Sequence, residues 1–252
     1  MKRSLLILAL ICLSSVAFSQ TKMIISKING TADSLLLTDI RSISFASSQQ
    51  NRQILFQENF ENGNLSPWLS RVTTPVITTS DYVSPSHALT LPPGRADYSC
   101  IYRQLSDTLK SGIVGIEFRI MKKDSTQRTA FYGMLFQKRS DVASYAKVQM
   151  AMGFGGSTQS DSVFAQTWNY ATPNTTIFIK QIAKIQSNRW YKLGIEYNFA
   201  TKVCTYLLDD TKIGEHTYDI AYFESILFGD QDTDGADRGN VFFLDDIVVY
   251  RR

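Results

Sequence analysis

Hydrophobic and polar residues alternate along most of the chain with the period of two that a half-buried strand requires. The clearest runs are residues 113–121, 129–137, 143–154, 162–170, 176–182, 190–199, 203–208 and 241–250. Each is rich in β-branched and aromatic residues and is bounded by turn chemistry. Short strands at this spacing predict a two-sheet sandwich or a barrel. Alternating βαβ units would need amphipathic helices of about ten or more residues between the strands, and none is legible. Residues 220–226 are expected to make one helical turn. No internal repeat is visible.

The N-terminus departs from this pattern. Lys2-Arg3 is a short positive region, residues 4–15 are mostly apolar, and Ala17-Phe18-Ser19 supplies small residues at the two positions signal peptidase reads. Residues 1–19 are therefore expected to be a signal peptide, cleaved before Gln20. Its apolar run is too short to span a bilayer comfortably, and no later segment is apolar enough to do so. Cys12 fits a lipoprotein cysteine poorly, because Ile11 stands where a small residue is expected. The expected location is secreted, periplasmic or cell-surface. Residues 20–53 form a second unit, with short strand-like runs at 23–28, 34–37 and 40–45. Asn29-Gly30, a strong hairpin signal, lies between the first two. A polar Ser, Gln and Asn linker closes it. That unit is too small to bury a core alone, so the main domain is expected over residues 54–252.

Composition narrows the function classes. The 252 residues are 44% hydrophobic and 12% aromatic, which suffices for a β core. The formal net charge is +3, and two of the basic residues, Lys2 and Arg3, fall in the cleaved segment. What remains is near balance, so a nucleic-acid footprint is excluded. Only two histidines are present, which excludes His-rich metal catalysis. Outside the signal peptide the cysteines are Cys100 and Cys204. In an oxidising compartment they either form a disulfide or stay as two buried thiols. A bridge would close a loop of about a hundred residues and stabilise by about 4 to 5 kcal/mol.

Three segments carry a family resemblance. Phe56-Gln57-Glu58-Asn59-Phe60-Glu61-Asn62-Gly63, followed by Trp68, resembles the opening of concanavalin A-like lectin/glucanase domains and of many carbohydrate-binding modules. Asn188-Arg189-Trp190-Tyr191-Lys192-Leu193-Gly194-Ile195-Glu196-Tyr197, followed by 203–213, resembles a laminin-G-type strand pair, with Asp210 where Gly is usual. Phe228-Gly229-Asp230 and then Val241-Phe242-Phe243-Leu244-Asp245-Asp246-Ile247-Val248-Val249-Tyr250 are similar to the closing strand. The resemblance covers Phe56 to Arg252. It implies an all-β, two-sheet antiparallel jelly-roll sandwich preceded by the small N-terminal β segment. It also implies that Trp68 and Trp190 are core residues.

The resemblance further implies that Glu58, Glu61 and Asp246, with Asp245 as an additional ligand, hold a structural Ca²⁺ where the opening and closing strands meet. Calcium takes six to eight hard oxygens, so carboxylates and carbonyls suit it. Asp230, Asp232, Asp234 and Gly235 separately echo the start of an EF-hand loop, but the twelfth position is Val241 rather than a bidentate Glu. Pairing of these acids with Lys and Arg at the surface is the competing reading.

A glycan site needs an aromatic platform edged by planar hydrogen bonders. Trp168 and Tyr170 lie at alternate positions of one strand and so on one face, and Gln166, Gln149, Arg139 and Tyr145 are candidate polar edges. Packing of Trp168 between the sheets is the alternative. Enzyme signatures are missing. The Glu-x-Asp-x-x-Glu cluster of jelly-roll glucanases does not occur, and Glu117, Glu196 and Glu224 stand isolated. His87 and His216 lie in a turn and a hairpin arm. No G-x-S-x-G elbow occurs, and Gly153-Phe154-Gly155-Gly156 lacks a following helix. The expected function is an exported, non-catalytic carbohydrate-binding or surface-adhesion module with a glycan partner. The alternatives are a jelly-roll polysaccharide hydrolase or lyase, and a structural surface domain.

Overall fold

The structure is a computed structural model. It describes residues 22–26, 32–36, 52–71, 75–91, 100–123, 131–137, 148–154, 162–169, 175–229 and 242–252. The expected signal peptide lies outside the described residues. No described helix is long and apolar enough to cross a membrane.

The chain divides into two units, Met1–Gln49 and Gln50–Arg252. In the first, β1 (Lys22–Ser26) pairs antiparallel with β2 (Ala32–Leu36), with Ile24 opposite Ser34.

The second unit holds β3 (Gln53–Glu58), β4 (Leu69–Arg71), β5 (Val76–Thr78), β6 (Ala88–Leu91), β7 (Cys100–Leu109), β8 (Ile113–Lys122), β9 (Phe131–Gln137) and β10 (Val148–Phe154). It continues with β11 (Ser162–Asn169), β12 (Thr175–Lys184), β13 (Trp190–Asn198), β14 (Val203–Leu208), β15 (Thr211–Thr217), β16 (Phe223–Gly229) and β17 (Phe242–Arg251). A seven-stranded sheet runs β12-β11-β10-β9-β16-β7-β4. An eight-stranded sheet runs β15-β14-β13-β8-β17-β6-β5, with β3 also paired to β17. All pairings are antiparallel. This is the expected all-β jelly-roll sandwich.

The core lies where the alternation puts it. Val114, Ile116, Phe118 and Ile120 of β8 and Tyr191, Leu193, Ile195 and Tyr197 of β13 turn inward. They meet Ile101, Leu135, Met150, Met152, Phe154 and Ala165 of the seven-stranded sheet. Phe118 and Phe228 meet edge to face at 5.1 Å across the gap. Position 133 must be glycine for this packing, because a Cβ there would lie 2.4 Å from the Phe118 ring. The turn between β14 and β15 is Asp209-Asp210, both at positive φ (47° and 63°). This is the geometry of a two-residue hairpin turn, which Asp tolerates. Asp209 is held there by the backbone N–H of Lys192 on its carboxylate at 3.0 Å.

Two expectations are corrected and one open alternative is resolved. Residues 223–226 are strand rather than a helical turn, because β16 pairs on both sides, with β9 and β7. Trp68 is core, but Trp190 is half-buried on the other face of β13, since Tyr191 takes the inward position. The Cys100–Cys204 disulfide does not form, and both thiols are free and buried. Cys204 faces the core from β14, whereas Cys100 belongs to a separate cluster with Ala151 and Leu227 on the far side of the opposite sheet. Burial pushes the Cys204 thiol up to about 12.

Candidate functional site

The seven-stranded sheet has a second face, turned away from the core, and its register draws rows across the strands. One row runs Leu69, Tyr102, Leu227, Met134, Ala151, Gln166, Ile179. The next runs Gln104, Ser225, Phe136, Gln149, Trp168, Thr176. On the other side of the first lie Arg71, Cys100, Gly229, Tyr132, Gly153, Phe164 and Gln181. Opposite residues in antiparallel strands share a face. The first two rows contain no charged residue type. Charge appears at the margins, with Arg71 on edge strand β4 and Lys184 opposite Ser162.

The floor of this face is small or neutral and shielded: Ala151 is 0% exposed, and Leu227 and Gln166 are each 7%. Half-buried aromatic side chains stand on it, Tyr102, Phe164 and Trp168. Strand β11 is tied to the opposite sheet, which fixes the parity of its side chains. The Tyr206 hydroxyl donates to the Gln166 carbonyl at 2.9 Å and lies 2.6 Å from Thr167 Oγ1. Thr167 and Ala165 thus face inward, and Gln166 and Trp168 face outward. Trp168 does not pack between the sheets. Of the six residues expected at the glycan site, Trp168 and Gln166 share this face and Gln149 lies opposite Trp168 in the register, while Tyr170, Arg139 and Tyr145 lie outside the described residues. Tyr102, Phe164 and Leu227 were not expected there. Phe164 continues the Gln166–Trp168 alternation two residues earlier, so its signal was present.

The carboxylates expected to bind calcium sit where β17 changes partner. The strand runs beside β6 up to Leu244 and beside β3 from Ile247, with a bulge against β8 between Asp245 and Val248. Asp246 has φ +48°, as the bulge requires. Each acid already has hydrogen-bond donors. Glu58 accepts the Phe60 N–H at 2.9 Å and the Trp68 indole N–H at 3.5 Å. Glu61 accepts the Ser86 hydroxyl at 2.7 Å and the His87 N–H at 2.9 Å, and the Ser86 bond leads in holding its carboxyl below the usual range. Asp246 pairs with Ser84 Oγ and with Arg119 at 3.4 Å. Asp245 is fully buried and accepts the N–H groups of Val83 and Ser84. Burial pushes its carboxyl up despite those donors. No three Asp, Glu, His or Cys side chains converge on a metal position among the described residues. Glu61, Asp245 and Asp246 hold the loop at 83–87 to the strand junction, while Glu58 braces Phe60 and Trp68. Asp230, Asp232 and Asp234 lie outside the described residues.

The outer face of the eight-stranded sheet is knitted by charge. Arg52 pairs with Glu117 at 2.6 Å and Glu196 at 4.0 Å and stacks 4.0 Å over the Tyr250 ring. Lys192 bridges Glu117 at 3.0 Å and Asp210 at 2.6 Å. Arg252 and the Tyr250 hydroxyl hold Glu196 at 2.8 and 2.5 Å. Burial, then Glu196, pushes the Tyr250 hydroxyl far above its usual range. A cleft of about 280 Å³ opens here between Gln57, Glu117, Arg119, Lys192 and Asp246. Each of these four charged groups has an ionic partner, and Glu58, which also lines the cleft, accepts the Phe60 and Trp68 N–H groups.

No known family profile and no curated protein matches the chain. Solved structures do. The GH16 of a Bacteroides ovatus mixed-linkage glucan PUL, in complex with a G4G4G3G product, superposes with TM-score 0.58 at 13% identity over 78% of this chain and all of that one (100%). The globular domain of T. cruzi calreticulin gives 0.55 at 10% identity, over 78% of this chain and 88% of that one. The carbohydrate recognition domain of Emp47p gives 0.53 at 7% identity, over 81% and 99%. The fold is concanavalin A-like. At these identities the likeness is one of architecture. Within a concanavalin A-like sandwich, function has to be argued from the side chains each face presents.

Proposed function

We propose that the protein is an exported glycan-binding module whose site is the outer face of the seven-stranded sheet. The observation that carries this reading is the set of half-buried aromatics, Tyr102, Phe164 and Trp168, standing over a neutral floor with Gln166. Sugar rings present C–H faces that pack on aromatic rings, and their hydroxyls pair with amides. Two neighbours in fold support it by name: one is a glucan-active enzyme holding its product, the other a carbohydrate recognition domain.

The test is retention of the purified protein on a panel of insoluble and gel-embedded polysaccharides, with the supernatant assayed for released reducing ends. Retention without release, weakened at least tenfold in Trp168→Ala, is the expected result. Release would make the protein a hydrolase or lyase. Neither retention nor release would leave a structural surface domain. A chelator arm tests a structural calcium at Asp230, Asp232 and Asp234: retention that falls in chelator and returns with Ca²⁺ supports it.

A further inference from the structure

We propose that this face selects an uncharged polysaccharide and rejects uronic-acid and sulfated ones, an inference that rests on the glycan-binding reading above. Drawing a carboxylate or sulfate out of water onto a protein surface requires a cation or several charge-assisted donors in its place. In the two register rows through Gln166 and Trp168 the described side chains, among them Tyr102, Leu227, Gln104, Ser225, Gln166 and Trp168, offer phenol, indole, amide, hydroxyl and aliphatic groups and no Lys, Arg or His. Arg71 and Lys184 stand at the sheet's margins, on the third row and beyond it.

Among the described residues, a cluster of cations lies on the other sheet, and it is neutralised. Arg52 and Lys192 share Glu117, and Arg119 faces Asp246. An anionic chain would have to displace those carboxylates. An uncharged chain has no carboxylate to displace on the aromatic face. Its pyranose faces meet the rings, and its hydroxyls meet Gln166 and Gln104. Binding of this kind releases no counterions, so it does not weaken as salt rises.

The experiment immobilises mixed-linkage β-glucan and hydroxyethyl cellulose as uncharged probes, and alginate, polygalacturonate and chondroitin sulfate as anionic ones. Biolayer interferometry with the full mature chain is run at 50 and 500 mM NaCl. The expected result is binding to an uncharged polymer that changes less than twofold with salt. Trp168→Ala should weaken it at least tenfold, and the anionic polymers should not bind. Tyr102→Ala, on another strand of the same face, serves in place of Trp168→Ala if that variant does not fold. Binding to an anionic polymer that falls tenfold or more between the two salts overturns the charge selection and leaves glycan binding standing. Undiminished uncharged binding in both variants overturns the site. Binding to no polymer overturns the glycan reading itself.

Discussion

The two outer faces of this sandwich are made of the same kind of strand yet are finished in opposite ways. On the eight-stranded sheet, outward positions carry Glu117, Lys192 and Glu196, joined through Arg52 and Arg252 into one ion-pair lattice, and Arg119, paired with Asp246. On the seven-stranded sheet the corresponding positions carry Tyr102, Leu227, Ala151, Gln166 and Trp168. A lattice whose charges are mutually satisfied has no capacity left for a ligand. A neutral face with half-buried rings has dispersion and hydrogen bonding to offer. The difference fits the proposed division, with stability on one face and recognition on the other.

The largest break in that comparison should come from Gly115. A Cβ there would lie 2.3 Å from the Tyr250 ring, so Gly115→Ala must push the ring out from under Arg52 and its hydroxyl off Glu196. Overpacking of this kind costs about 2 to 4 kcal/mol. Chemical denaturation should show it, while glycan affinity per folded molecule stays unchanged. Trimming the ring in the double variant Gly115→Ala, Tyr250→Leu should recover part of the loss, which marks the two sites as coupled. Trp168→Ala should do the reverse, cutting affinity ten- to a hundredfold while lowering stability by about 1 kcal/mol, because its ring is outside the core. A stability loss as large as that of Gly115→Ala would place Trp168 among the packing residues after all.

His216 breaks the comparison through pH. Its ring stacks on Phe178 at 4.3 Å, neither ring nitrogen has a hydrogen-bond partner among the described residues, and burial lowers its pKa to about 4. The unfolded chain binds that proton near pH 6.5, the folded one only near 4. Between those values the unfolded state holds more protons, so stability is full above about pH 6.5 and falls as pH drops toward 4. The loss should reach about 2 kcal/mol, reduced from the full linkage value because the ring is half-buried. His216→Phe should flatten the stability profile in that window relative to the parent. Equal profiles would mean the imidazole titrates normally.

Much of this was legible in the chain, and what was not has definite causes. Alternation located the strands: 203–208 coincides with β14 and 113–121 falls one residue short of β8. The resemblance implied a core place for Trp190, and alternation, which does not say which parity faces inward, could not correct it: Tyr191 has that place. At 220–226 the apolar residues Ile220, Phe223 and Ile226 recur every three residues, as on a helix. Pairing to β9 and β7 overrides that local pattern. The cysteine pair needed the sheet assignment, which puts one thiol inside and the other on the far face. Glu117 and Glu196 read as isolated because what unites them, Arg52, is 65 residues from Glu117. The aromatic face was half legible: Trp168 and Gln166 lie on one strand, while Tyr102 and Leu227 join them only through long-range pairing.

The smallest effect is the sharpest test of why the charged face matters. Arg52–Glu117 and Lys212–Glu215 have the same separation, 2.6 Å. They differ in surroundings: the Arg52 and Glu117 side chains are 28% and 13% exposed, Lys212 and Glu215 48% and 53%. Water and salt screen the second pair, and ordering two long side chains offsets what attraction remains. Lys212→Ala should therefore change stability by less than about 0.5 kcal/mol. Arg52→Ala removes a cation shared by two carboxylates together with its stacking on Tyr250. Lys192 and Arg252 still serve Glu117 and Glu196, which limits the loss to about 1 to 2 kcal/mol. Urea titrations at 50 and 500 mM NaCl should show the Arg52 effect persisting at high salt, and equal losses from the two variants would make contact distance rather than burial the governing variable.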